Sequence, residues 1–295
     1  ACVRNTSEDK PVNIGQLQRY ATDWLFKNKI QPFSRQTKTG KKIAVIGAGP
    51  AGLSNAHRLS MLGHEVVIFD AKEKAGGLNE YGLAAYKMVD EFARREIDFL
   101  LELGGIEIRH SQKLGRDFEL ESLRNEYDAI FIGVGLSAVN SLRLEGEGLP
   151  GIMDAVEYIE SIRQTPKLSQ LQVGKRVVVV GGGNTAIDIA VQIKLLGAEE
   201  VTLLYRRGAE DMNATWKEQE LAQKNNVVIK YWTKPVKILG SDYVTGLQVE
   251  KTIFKNNKLE GTGEVQEIAA DQIFKAIGQV FDPSDLGAAL GKIQI

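Results

Sequence analysis

Only one cysteine, Cys2, occurs in 295 residues. That excludes an internal disulfide and a catalytic dithiol on this chain, since each needs a cysteine pair. A lone cysteine fits a reducing compartment, so a cytoplasmic location is expected. His57, His64 and His110 are the three histidines, and they show no metal-ligand spacing. No run of eighteen apolar residues occurs, so no membrane-spanning helix is expected. The opening residues, Ala1 to Thr6, do not read as a secretory signal. The formal net charge is only −1, and Lys and Arg are scattered. Neither nucleic acid nor an anionic membrane is therefore expected as a partner. No Gly-x-Ser-x-Gly elbow is present, which removes the commonest hydrolase signature.

What remains is an ordinary globular composition, 43% hydrophobic and 25% charged, with length for one large or two medium domains. The first forty residues read as an arm. Leu17, Tyr20, Trp24 and Leu25 recur at helical spacing, so an amphipathic helix is expected over 14–29. A polar connector, Ser34 to Gly40, follows.

A strong unit then begins. Ile43-Ala44-Val45-Ile46 suits a buried parallel strand. Gly47-Ala48-Gly49-Pro50-Ala51-Gly52 follows at once, then a helical stretch ending at Gly63, then Val66 to Phe69 closed by Asp70. The unit recurs at an offset of 134 residues: Val177 to Val180, Gly181-Gly182-Gly183-Asn184-Thr185-Ala186, a helix ending at Gly197 and, after a one-residue insertion, Val201 to Leu204. A subtler echo pairs Ile130-Phe131 and Gly133-Val134-Gly135 with Ile273-Phe274 and Ala276-Ile277-Gly278. Small residues there let backbone pass close to a cofactor. The expected fold is α/β: two Rossmann-like dinucleotide-binding modules, the second inserted in the first, with a short N-terminal helical arm.

In a G-x-G-x-x-G turn the first Gly turns out of the strand. The second admits a pyrophosphate, and the third lets helix and strand pack. The helix N-terminus offers free N–H groups and a positive dipole end to the phosphates. Asp70 stands 18 residues beyond Gly52, where a carboxylate accepts ribose hydroxyls and repels a 2′-phosphate. FAD and NAD both fit that turn. In the second unit the position is Tyr205, followed by Arg206 and Arg207. Two guanidiniums suit a 2′-phosphate, which favours NADPH, with NADH still compatible.

Gly47 to Gly52, Gly76-Gly77-Leu78, Gly181 to Asp188, Tyr205 to Gly208 and Ala276 to Gln279 together resemble the glutamate synthase small subunit group. That group includes the FAD/NADPH module of dihydropyrimidine dehydrogenase. Val12 to Gln18 and Phe131 to Leu136 lean toward the dihydropyrimidine dehydrogenase branch. The resemblance runs from Ala1 to about Pro283. It implies that NADPH docks on the second module and delivers hydride to FAD. Electrons then pass through [4Fe–4S] clusters to a catalytic partner subunit or domain. It divides the chain into 1–40, the end of an iron–sulfur domain; 41–150, for FAD; 151–280, for NAD(P)H; and 281–295, a truncated return to the FAD domain.

The residues expected at FAD are Gly47, Gly49, Pro50, Ala51, Gly52, Asp70, Ala71, Gly77, Leu78, Lys87, Gly133 and Gly135, with Gly76 beside them. Those expected at NADPH are Gly181, Gly183, Asn184, Thr185, Ala186, Asp188, Arg206, Arg207, Ala276 and Gly278. Asn184 would equally serve as a helix N-cap, and Asp188 as a solvated helix residue. Hydride transfer between cofactors needs no general acid or base here.

Two departures matter. A [4Fe–4S] cluster generally takes four cysteines. Here Cys2 alone stands where the family's last ligand falls, so it reads as a residual metal ligand. The family's Gly-Asp motif for the flavin ribityl chain is absent before Ile295. A fragment of a longer protein is therefore expected. The alternatives are a glutamate synthase small (beta) subunit and, in another class, a non-catalytic nucleotide-binding fragment.

Overall fold

The computed structural model of the chain describes residues 12–283 and residue 286. Cys2 and most of the segment 281–295 lie outside the described residues. The arm forms helix α1, Ile14–Asn28, with Asn13 Oδ1 accepting the Gln16 N–H at 3.4 Å. Leu17, Tyr20 and Trp24 do recur on one face, yet that face is exposed. The arm docks through other groups. The Phe26 ring lies 5.2 Å from Phe99, and the Arg19 guanidinium sits 3.6 Å above Phe92.

The first sheet is parallel throughout. Its strands are β1 (Lys42–Ile46), β2 (Glu65–Phe69), β3 (Ile106–Arg109) and β4 (Ala129–Ile132), in the order β3-β2-β1-β4. Between them run α2 (Pro50–Met61), the single turn α3 (Leu78–Tyr81), α4 (Phe92–Leu101) and α5 (Leu120–Glu126). Strand alternation sends Val45 and Ile68 to one core cluster, with Leu53, Ala56 and Ile97. Ala44, Ile46 and Phe69 face another, with Leu123 and Tyr127. Both faces are covered, as a parallel sheet requires.

The chain then crosses to a second sheet and later returns. The outward crossing, β5 (Ala138–Val139), leads to β6 (Ile152–Asp154) and α6 (Ala155–Gln164). The second repeat follows: β7 (Arg176–Gly181), α7 (Asn184–Leu195), β8 (Glu200–Leu204), α8 (Trp216–Lys224) and β9 (Val227–Lys230). A meander of β10 (Thr233–Gly240), β11 (Val244–Lys255) and β12 (Lys258–Ala269) precedes β13 (Gln272–Ala276) and the return crossing β14 (Gln279–Val280). The second sheet is parallel, in the order β6-β13-β7-β8-β9.

Helices cover one face of this sheet, where Val177 and Val179 pack with Ile159, Ile187 and Ala190. Among the described residues, no helix covers the other face. Val178 and Val180 pack there on Ile238, Leu247 and Val249 of the meander. The two crossings pair antiparallel, Gln279 with Val139 and Val280 with Ala138. Beyond them Phe281 and Leu286 rejoin the cluster of Ala44, Ile46 and Phe69. The second module is thus an insertion within the first. Among the described residues, no helix is long and apolar enough to cross a membrane.

Phe274 anchors the second module. It is fully buried, and its ring lies 4.9 Å from that of Tyr158. Phe274→Ala should cost about 3–5 kcal/mol of stability in urea denaturation. A loss below about 1 kcal/mol would contradict this packing.

Candidate functional site

β1 ends at Ile46 and the chain turns immediately. Gly47 has φ +103°, and its N–H donates to the Phe69 carbonyl at 2.7 Å. A Cβ on Gly47 would collide with the Gly133 carbonyl, so both backbone angle and space require glycine. Gly49 is the N-cap of α2 and Pro50 its first residue, with no side chain capping the helix. The α2 N-terminus therefore keeps donor groups and its positive dipole end for an anion. A second backbone wall closes beside the turn. The Gly76 N–H donates to the Ala48 carbonyl at 2.8 Å, and a Cβ on Gly77 would stand 2.7 Å from Gly49 Cα.

Asp70 has a structural duty at this turn. Its Oδ2 accepts the Ala48 N–H at 2.5 Å and its Oδ1 the Lys72 N–H at 2.9 Å. The carboxylate is buried against the turn that it braces. A ribose contact would use its remaining lone pairs. Ala71 beside it is exposed, as are Leu78 and Gly135.

The second turn repeats the first. Gly181 has φ +155°, and a Cβ there would collide with the Ala276 carbonyl, as one on Gly47 would with Gly133. Gly183 is the N-cap of α7, again without a capping side chain. Asn184 is the first helical residue, so it is not the cap. Ala186 is fully buried at the third fingerprint position. A cleft of about 1040 Å³ opens over the turn. Its wall includes Gly181, Gly183, Thr185, Arg206, Arg207, Ala276 and Gly278, but not Asn184, Ala186 or Asp188.

Tyr205 fills the place of the first module's acid. Its ring lies against Gly182 and its hydroxyl donates to the Asp211 carbonyl at 2.6 Å. No carboxylate stands there to repel a 2′-phosphate. The backbones of Arg206 and Arg207 are held, their carbonyls accepting from Thr252 Oγ1 at 2.8 Å and from the Trp232 N–H at 3.0 Å. Among the described residues neither guanidinium has an ion-pair partner.

Lys87 and Asp188 meet each other. The segment after β2 leaves the first module and lies on the second. Lys87 Nζ is 2.6 Å from Asp188 Oδ1 and 3.0 Å from Glu218 Oε1. The Tyr86 hydroxyl donates to Asp188 Oδ1 at 3.1 Å, and the Ala85 N–H to Gln192 Oε1 at 3.0 Å. Lys72 pairs with Glu160 at 2.5 Å, and Arg163 donates to the Glu80 carbonyl. Asp188 is buried, so burial pushes its carboxyl up from the ordinary carboxylate range, against the pull of Lys87 and Tyr86. Burial disfavours the charged Lys87 as well, but its two carboxylate partners outweigh that and hold its pKa above the ordinary value. Burial and the Asp188 charge also push the Tyr86 phenol up, so it stays a donor. Sequence reading missed this cluster. One trace was available: Thr215-x-x-Glu218 has the spacing of a capping box. Thr215 does accept the Glu218 N–H, at 3.4 Å, but the Glu218 carboxylate reaches Lys87.

Comparison with known proteins matches residues 41–294 to the pyridine nucleotide-disulphide oxidoreductases. The chain is 33% identical over 298 residues to the glutamate synthase [NADPH] small chain of Escherichia coli (strain K12), covering 94% of this chain and 62% of that one. It is 31% identical over 276 residues to the NAD-dependent dihydropyrimidine dehydrogenase subunit PreT of the same organism, covering 92% and 62%. These identities do not separate the two branches. The chain spans less than two thirds of the length of either relative. Among solved structures, Mycobacterium tuberculosis FprA in complex with NADPH superposes with a TM-score of 0.68 at 19% identity, covering 81% of this chain and 71% of that one. That likeness concerns the fold.

The Lys87 cluster sets a stability test. Lys87→Met leaves Asp188 buried without its cation and should cost about 3–5 kcal/mol in chemical denaturation. Adding Asp188→Leu should recover part of the loss. Strictly additive losses would contradict the pairing.

Proposed function

The chain belongs to the pyridine nucleotide-disulphide oxidoreductase family, and we propose that it carries electrons from NADPH, held at the second glycine-rich turn, to FAD, held at the first. The observation that carries this reading is the repeated turn, twice ending in a helix N-terminus without a side-chain cap. Such a terminus is suited to a pyrophosphate. The residues present fit two different nucleotides. Asp70 disfavours a 2′-phosphate at the first turn, while Arg206 and Arg207 face the cleft of the second.

When bound, FAD would supply the redox chemistry, taking a hydride from reduced nicotinamide and releasing electrons one at a time. The chain's own residues bind and orient. Gly47, Gly49 and Gly77 form a side-chain-free wall at the first turn. Gly181 and Gly183 do the same at the second, and Arg206 with Arg207 selects the nucleotide. Lys87 and Asp188 act as positioning residues that hold the modules face to face. With a single cysteine in this chain, disulfide chemistry is not part of this reading.

The partner is read from the relatives. A glutamate synthase small chain and a dihydropyrimidine dehydrogenase subunit, by their names, each work beside another subunit. We infer a catalytic partner that accepts electrons through iron–sulfur clusters outside the described residues, in the cytoplasm. We propose the division of labour as 41–150 for FAD, 151–280 for NAD(P)H and 281–295 as the return to the FAD domain.

With added FAD, the chain should reduce an artificial dye at the expense of NADPH. No NADPH-dependent dye reduction would favour a nucleotide-binding fragment without turnover. Replacing Arg206 and Arg207 together by Ala should weaken NADPH binding roughly 100-fold, from the loss of charge-assisted bonds to the 2′-phosphate, and leave NADH within about threefold. Equal losses for both nucleotides would refute the 2′-phosphate role.

A further inference from the structure

One wall of the NADPH cleft carries no fingerprint residue. It is the linker that follows β5, and Arg143 lies on it. Arg143 has φ +58°, an uncommon angle for a residue with a side chain. The Glu147 carboxylate and the Ser141 hydroxyl hold it there. Glu147 Oε2 accepts the Arg143 N–H at 3.1 Å and the Ser141 hydroxyl at 2.6 Å. Glu147 Oε1 accepts the Leu142 N–H at 3.0 Å and bonds Lys275 Nζ at 3.0 Å. The Ser141 hydroxyl oxygen in turn accepts the Arg143 N–H at 2.9 Å.

The cleft has other cations, but their charges are committed. Lys275 is paired with Glu147 and with Asp154, each at 3.0 Å. Lys234 is paired with Glu250 at 2.9 Å. Among the described residues, Arg143 has no such partner. Three guanidiniums thus remain for ligand anions on this cleft: Arg143, Arg206 and Arg207.

Sheet order separates them. Arg206 and Arg207 follow β8, on one side of β7 and its glycine-rich turn. Arg143 is tied through Glu147 to Lys275 on β13, on the other side of β7. The adenosine end and its 2′-phosphate belong to the β8 side. Resting on that placement of the nucleotide, we propose that Arg143 binds the pyrophosphate of the pyridine nucleotide, opposite the N-terminus of α7. It completes a site in which backbone donors meet the phosphates from one side and a guanidinium from the other. Because the pyrophosphate is common to NADPH and NADH, Arg143 sets affinity for both without choosing between them.

The test is a direct binding titration of NADPH and of NADH to the full chain, read by nucleotide fluorescence or calorimetry and independent of turnover. Arg143→Ala should weaken both nucleotides about tenfold, with the NADPH-to-NADH preference unchanged and the thermal midpoint unmoved. Arg143→Lys, which keeps the charge, should stay within about threefold of wild type. Affinities of Arg143→Ala within twofold of wild type would overturn the proposal. So would a loss confined to NADPH, which would place Arg143 on the 2′-phosphate. If the wild-type chain binds neither nucleotide, the reading of the second turn fails first. Binding by wild type with an indifferent Arg143→Ala variant fails this inference alone.

Discussion

A lysine ammonium of one module sits between two carboxylates of the other, and the rest of the arrangement depends on it. Lys87 belongs to the same segment as Gly76 and Gly77, the wall beside the first turn. Asp188 lies in the helix that starts at the second turn. One contact therefore ties the surroundings of the first turn to the helix that starts at the second. Withdrawing these charges from water is costly, and the pairing compensates only while its geometry holds. A contact of that kind adds little net stability over apolar packing. It resists any sliding of one module on the other, which is what a transfer between two bound nucleotides needs.

The paired crossings complete the frame. β5 and β14 are two residues long and pair with each other, and the Asn140 side chain donates to the Ile277 and Gly278 carbonyls at 3.2 Å. Residues of both crossings, Val139, Asn140, Gly278 and Gln279, also line the cleft over the second turn. The cleft and the joint between modules thus share backbone.

Much of this was legible in the sequence, and the limits were physical. Buried parallel strands are short apolar runs, and the turns between strand and helix admit only glycine at set positions, so both repeats stood out. The second echo, at its own offset of 143 residues, even carried the match of Gly133 to Ala276, which the structure places against Gly47 and Gly181. Contacts between distant segments left no such trace. Tyr86 and Asp188 are 102 residues apart, and Glu147 and Lys275 are 128 apart. Spacing along a helix identified the face of Leu17, Tyr20 and Trp24, but not whether anything covers it. The strands β5 and β14 are too short for periodicity to register. Asp70 was identified as a ligand position, while its bond to the Ala48 N–H depends on the folded turn.

The central claim is direct transfer between two nucleotides held on docked modules. The most direct measurement mixes the FAD-loaded chain anaerobically with NADPH carrying deuterium at both C4 positions, against unlabelled NADPH, and follows flavin absorbance by rapid mixing. NADPH should bleach the flavin band, and deuterium should slow the bleaching. A flavin band unchanged by NADPH would contradict the claim.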